Sequence, residues 1–66
     1  MNPEQVGSCT VHVVQTTTNH EWEWMVIDWL QGPTALVRWN AGCQTAEEAR
    51  RAGITAAVEY RLTERQ

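Results

Sequence analysis

The sequence predicts an α+β domain in which a three-stranded antiparallel β-meander, over about 8–15, 21–29 and 34–39, carries one C-terminal helix, about 45–62, on one face. Two stretches alternate residue types with the period of two that a pleated strand imposes. Thr45-Ala46-Glu47-Glu48 has the form of a capping box and precedes a run of good helix formers. Short connections favour strands that pair in chain order, which gives the order βββα.

Residues 1–7 hold Asn2, Pro3 and Gly7 without periodicity and are expected as a flexible lead-in to a single domain spanning 1–66. In the first strand Cys9, Val11 and Val13 alternate with Thr10, His12 and Val14, a pattern rich in β-branched residues. Thr16-Thr17-Thr18-Asn19 supplies a polar turn. The second strand gathers three of the four tryptophans and three of the eight acids into Glu21–Trp29. Alternation puts Trp22, Trp24 and Val26 on one side and Glu21, Glu23, Met25, Ile27 and Trp29 on the other. Leu30-Gln31-Gly32-Pro33 closes that strand with turn residues, and the third strand is expected to end at a turn over 40–44.

In the helix, the Thr45 side chain is placed to accept from the Glu48 amide while Glu48 reaches back to Thr45. Ala46, Ala49, Gly53, Ala56, Ala57 and Tyr60 fall on one stripe. A helix with so small a face lies close to a sheet when the sheet supplies bulk, and Trp22, Trp24 and Val26 are that bulk. Gly53 costs roughly 1 kcal/mol of helix propensity against Ala, so close packing or a slight kink is expected there. Nothing is left to cover the opposite face of the sheet. Met25, Ile27 and Trp29, with Leu36 and Arg38 of the third strand and Val14 and His12 of the first, are expected on it. Trp29 and Trp39 sit near strand ends, where aromatic anchors of binding surfaces are common.

A chain of 66 residues is near the lower limit for folding on its own core, and its 42% hydrophobic content and four Trp argue against disorder. There is no run of about 18 apolar residues and no basic-then-apolar N-terminal segment, so no membrane partner and a cytoplasmic location are expected. Net charge is −3 and all five cations are Arg, without the basic stripe that supports direct nucleic-acid binding. Phosphate-cradling loops, nucleophile elbows and metal-binding helix motifs are missing from the sequence, and Glu21 with Glu23 would be solvated. No catalytic residue, cofactor or metal is therefore expected. Cys9, His12, His20 and Cys43 do not follow a zinc spacing and read as two free thiols and two surface imidazoles. Arg50, Arg51, Arg61 and Arg65, interleaved with Glu47, Glu48, Glu59 and Glu64, read as intrahelical ion pairs.

From Trp24 to about Tyr60 the chain runs Trp-x-Val-x-Asp in a strand, a Gly-containing turn, a third strand, then Ala-Gly-Cys-Gln-Thr-Ala-Glu-Glu-Ala-Arg into the helix. This pattern resembles the arm-type DNA-binding domain at the start of phage integrases. The resemblance implies a three-stranded sheet packed on one helix, with basic residues of the sheet entering the major groove. Where that family places Lys and Arg, this chain has Glu21, Glu23, Met25, Ile27 and only Arg38. In type, being small, acidic and without catalytic residues, the chain is similar to phage anti-CRISPR inhibitors. That likeness implies that Glu21, Glu23 and Asp28 imitate backbone phosphates before Arg or Lys of a CRISPR effector subunit or another nucleic-acid-binding protein of the host cytoplasm. Trp29 or Met25 would then be the apolar anchor. The expected function is non-enzymatic binding of a protein partner through Glu21, Glu23, Met25, Ile27, Asp28, Trp29, Leu36 and Arg38. The alternatives are a nucleic-acid-binding module of the arm type and a homodimer joined through the Met25 and Ile27 face.

Overall fold

The computed structural model describes residues 3–64, which form one antiparallel sheet of four strands in chain order, a 3-10 segment and a C-terminal helix. The strands are β1 (Glu4–Val6), β2 (Cys9–Gln15), β3 (Trp22–Asp28) and β4 (Leu36–Cys43), and the helix α1 is Ala46–Glu64. The α+β meander with one helix is as predicted, but the strand count is corrected from three to four. Residues 4–6, expected within the lead-in, pair with β2 as Glu4 to Val11, Gln5 to Thr10 and Val6 to Cys9. Gly7, at φ +60°, turns this hairpin in a conformation that glycine adopts without strain. A Cβ there would also meet the Arg61 guanidinium of α1, the flexible end of a side chain that would have to shift aside.

β2 and β3 pair without interruption from Cys9 opposite Asp28 to Gln15 opposite Trp22. Their connection is tied by Thr16 N and Thr16 Oγ1, which both donate to the Glu21 carbonyl at 2.8 and 3.1 Å. β3 ends one residue earlier than expected, because Asp28 caps a 3-10 segment, Trp29–Thr34, that kinks at Gly32. β4 starts later and runs further than the predicted 34–39, through the expected turn at Asn40-Ala41-Gly42. Its ladder to β3 shifts register twice, between Trp22 and Trp24 and between Val26 and Ile27.

α1 covers one face of the sheet. Its first turn is capped by Thr45 Oγ1, which accepts from Glu48 N at 3.1 Å, while Glu48 Oε2 accepts from Gln44 N at 3.4 Å instead of from Thr45. Ala49, Gly53, Ala57 and Tyr60 are buried against the sheet and Ala46 and Ala56 are half-buried, the predicted small stripe. The core joins Cys9, Val11 and Val26 with Ala57 and Tyr60, and Val6, Trp24, Val37 and Ile54 pack around it. Trp22 is half-buried like Trp24. Gly53 is the point of closest approach: a Cβ there would overlap Val11 Cγ1 and stand 3.3 Å from Trp24 Cβ. Cys9 and Cys43 are both buried free thiols, and burial raises the pKa of each. Among the described residues no helix is long and apolar enough to cross a membrane.

Candidate functional site: the uncovered sheet face

Cross-strand partners project from the same side of a sheet, so the ladder itself lists the face that α1 leaves open. Thr10 opposes Ile27, which opposes Leu36; His12 opposes Met25, which opposes Trp39; Val14 opposes Glu23. Val26, between Met25 and Ile27, is fully buried on the helix side, which fixes the parity. Met25 and Ile27 are half-buried at the centre, while Leu36, Trp39 and Val14 are 52%, 60% and 40% exposed around them. Apolar patches of this kind on a small domain commonly mark interfaces.

Trp29 belongs to this face by a route that strand alternation does not provide. It lies past the end of β3, and its indole Nε1 donates to Thr10 Oγ1 at 2.9 Å. Thr10 Oγ1 is also 2.8 Å from His12 Nε2, so Trp29, Thr10 and His12 form one polar chain on the β2 side. The ring itself remains 62% exposed. The hydroxyl thus fixes the direction of the indole without covering it.

Two of the predicted site residues are elsewhere. Asp28 is buried, not on an acidic edge: its carboxylate accepts from Tyr60 Oη at 2.8 Å, Leu30 N at 3.1 Å and Ser8 Oγ at 3.2 Å. The Tyr60 hydrogen bond, then that of the Leu30 amide, holds its pKa below the ordinary value. A carboxylate so enclosed is not available to imitate a phosphate. Arg38 is displaced by the second register shift, which sends it to the helix side, where its guanidinium lies 5.1 Å from the Tyr60 ring centroid. Its Nη1 also donates to the Val37 carbonyl at 2.6 Å.

The remaining acids are placed more simply. Glu23 is half-buried on the open face opposite Val14. Glu21 lies just before β3, at the corner where it and Glu48 both raise the pKa of the Cys43 thiol. The described ion pairs are on the other side of the molecule: Arg50 meets Glu47 at 2.9 Å and Glu4 at 3.4 Å, and Arg51 meets Glu47 at 3.2 Å. Arg50 in particular brings the Glu47 carboxyl down to about 2. Arg61 lies over Gly7. Among the described residues, then, every arginine is on α1 or facing it, and the open face carries a carboxylate with no arginine beside it.

Leu36, Met25, Ile27, Glu23 and Trp29 are brought together on the open face, with Glu21 at its corner. Thr10 and Trp39 are two members outside the predicted set. Trp39 enters because the register shift that turns Arg38 to the helix side turns its neighbour to the open face, and Thr10 because its hydroxyl meets a tryptophan nineteen positions away. No family model matches this chain, and searches of curated proteins and of solved structures return no significant match.

Proposed function

We propose that this chain is a non-enzymatic binding protein that docks its open sheet face on a partner protein. The observation that carries the reading is the concentration of Met25, Ile27, Trp29, Leu36 and Trp39 on one face, with no element among the described residues over them. Glu23 on that face and Glu21 at its corner, with the described arginines on the opposite side, favour a partner whose apolar contact surface is rimmed by Arg or Lys. In the specific form drawn from the likeness to phage anti-CRISPR inhibitors, that partner is a nucleic-acid-binding protein of the host cytoplasm. Its basic residues meet Glu21 and Glu23, and Asp28 is withdrawn from the acidic set. Self-association through the same face is disfavoured, because it brings together two surfaces that each bear carboxylates and, among the described residues, no arginine.

The test compares capture from one bacterial lysate by the wild-type chain, by Leu36→Ser with Trp39→Ser, and by Glu21→Lys with Glu23→Lys. A protein retained by the wild type and lost by both variants, each with an unchanged circular dichroism spectrum, supports the reading. Retention that ignores both variants overturns it. A duplex DNA shift by the wild type at about 50 mM salt would replace it with a nucleic-acid-binding module. Sedimentation as a dimer that Trp39→Ser dissociates would replace it with self-association.

A further inference from the structure

The polar chain from Trp29 through Thr10 to His12 has a direction, and that direction turns on one proton. An indole N–H can only donate, so Thr10 Oγ1 accepts from Trp29 Nε1 at 2.9 Å. The hydroxyl keeps a hydrogen of its own, and His12 Nε2 stands 2.8 Å away. Nε2 accepts that hydrogen bond only with a free lone pair, which requires a neutral imidazole carrying its hydrogen on Nδ1. All donors then run one way, Trp29 to Thr10 to His12, and each bond polarises the next. In the imidazolium both ring nitrogens are donors. Thr10 Oγ1 would then face two N–H groups, and its own hydrogen would have to swing out of the chain.

The charge around His12 is one-sided. On β3, Met25 opposes it and Glu23 lies on the diagonal, about 7–8 Å away in ordinary sheet geometry. Its same-face neighbours on β2, Thr10 and Val14, are uncharged, and Trp39 of β4 lies beyond Met25. β1 begins at Glu4, which opposes the buried Val11 and meets Arg50 of α1 on the other face. Asp28 and Arg38 also point to the helix side, where both meet Tyr60. Among the described residues, Glu23 is thus the charge that shares the open face with His12, and Glu21 stands at its corner.

We infer, taking the open face as the docking surface proposed above, that His12 is its proton switch. Neutral, His12 ends the relay that holds the Trp29 indole and leaves the carboxylates uncompensated. Protonated, it reverses the Thr10 hydrogen bond, loosens the indole and offsets Glu23. Both changes act against a basic partner, which is held at neutral pH and released in mild acid. Histidine is the side chain whose ordinary change of charge falls in that range.

The relay is tested on the chain alone, by following the NMR shifts of Trp29 Nε1–H and of the His12 ring between about pH 5 and pH 8, where imidazole ordinarily titrates. At the alkaline end His12 Nε2 should resonate as an unprotonated nitrogen. On acidification the indole signal should move with the same midpoint as His12 in the wild type, in Thr10→Ser and in His20→Gln, which all keep the hydroxyl and the His12 ring. It should stay flat in His12→Gln and in Thr10→Val, where His12 still titrates but the hydroxyl is gone. A proton on Nε2 at the alkaline end, a flat indole signal in the wild type, or a titration that survives Thr10→Val overturns the relay. If Thr10→Val does not fold, His12→Gln and the Nε2 shift decide it. Gating is read on the protein retained from the lysate, whose affinity for the wild type should fall about tenfold or more from the alkaline to the acid end and for His12→Gln should hold. Acid-insensitive retention by the wild type, or equal acid release from His12→Gln, overturns the gating. Absence of any retained protein overturns the docking surface itself, a failure separate from that of the relay.

Discussion

On the side of the sheet that α1 covers, bulk comes from the strands and space from the helix: Val11, Val26 and Trp24 press against Gly53 and Ala57. On the other side Met25, Ile27, Leu36 and Trp39 have comparable bulk and no described element set against them. Both surfaces draw on β3, whose successive residues point to opposite faces. One strand therefore carries two roles that substitution can separate. Changes at Val26 of β3 are expected to act on stability, and changes at Trp39, which β4 sets opposite Met25 of β3, on association.

The sharpest contrast should come from Val26→Ala. Val26 is fully buried, and emptying such a site costs about 2–3 kcal/mol in transfer and cavity terms. A domain of this size has only about 3–10 kcal/mol in total, so urea denaturation should show the midpoint falling by a large fraction. A loss below about 0.5 kcal/mol would mean that the covered face is not the core. Gly53→Ala comes next, and its sign is diagnostic. Propensity alone predicts a gain of roughly 1 kcal/mol. The added methyl would overlap Val11 Cγ1, and overpacking costs about 1–3 kcal/mol, so a net loss is expected. Stabilisation by alanine would show that α1 does not approach β2 as closely as described.

A third effect appears only in acid. The carboxyl of Asp28 is depressed below 3.8 by Tyr60 and the Leu30 amide, so its contribution is present above that unfolded value and is lost as pH falls through the lower folded one. Asp28→Asn should flatten this acid limb of the stability curve. Glu47→Gln should leave the limb almost unchanged although Glu47 titrates at about 2, because its ion pairs are more than half exposed on one side and are screened by solvent. Equal slopes for wild type and Asp28→Asn in thermal melts between pH 2 and pH 5 (roughly the span of the linkage) would count against the buried contact with Tyr60.

Much of this contrast was legible in the chain. The alternation in β2 and β3 and the small stripe from Ala46 to Tyr60 identify the covered face, because each pattern supplies what the other lacks. Three features escaped for distinct physical reasons. β1 has too few residues to show a period, and its one signal was the pair Gly7-Ser8, a two-residue hairpin turn. Arg38 changed sides because alternation assumes an unbroken ladder, and a register shift inserts a residue that pattern alone does not announce. Asp28 shares parity with Trp22, Trp24 and Val26, so its inward direction could have been read. Its partner Tyr60, 32 residues away, could not.

The smallest effect on stability is expected on the open face, and it decides whether the two faces differ at all. Trp39→Ser removes a large side chain that is 60% exposed and contributes little burial to lose. Surface substitutions of this sort ordinarily stay within about 0.5 kcal/mol. An indole that is 60% exposed is an apolar surface that folding of the single chain does not need. Should Trp39→Ser instead destabilise the chain by as much as Val26→Ala, the open face would be a second core, closed by a further copy of the chain. Equilibrium sedimentation of the wild type across a hundredfold range of concentration would then show self-association. An unchanged urea midpoint in Trp39→Ser, beside a lowered one in Val26→Ala, leaves the aromatic face accountable only to a partner.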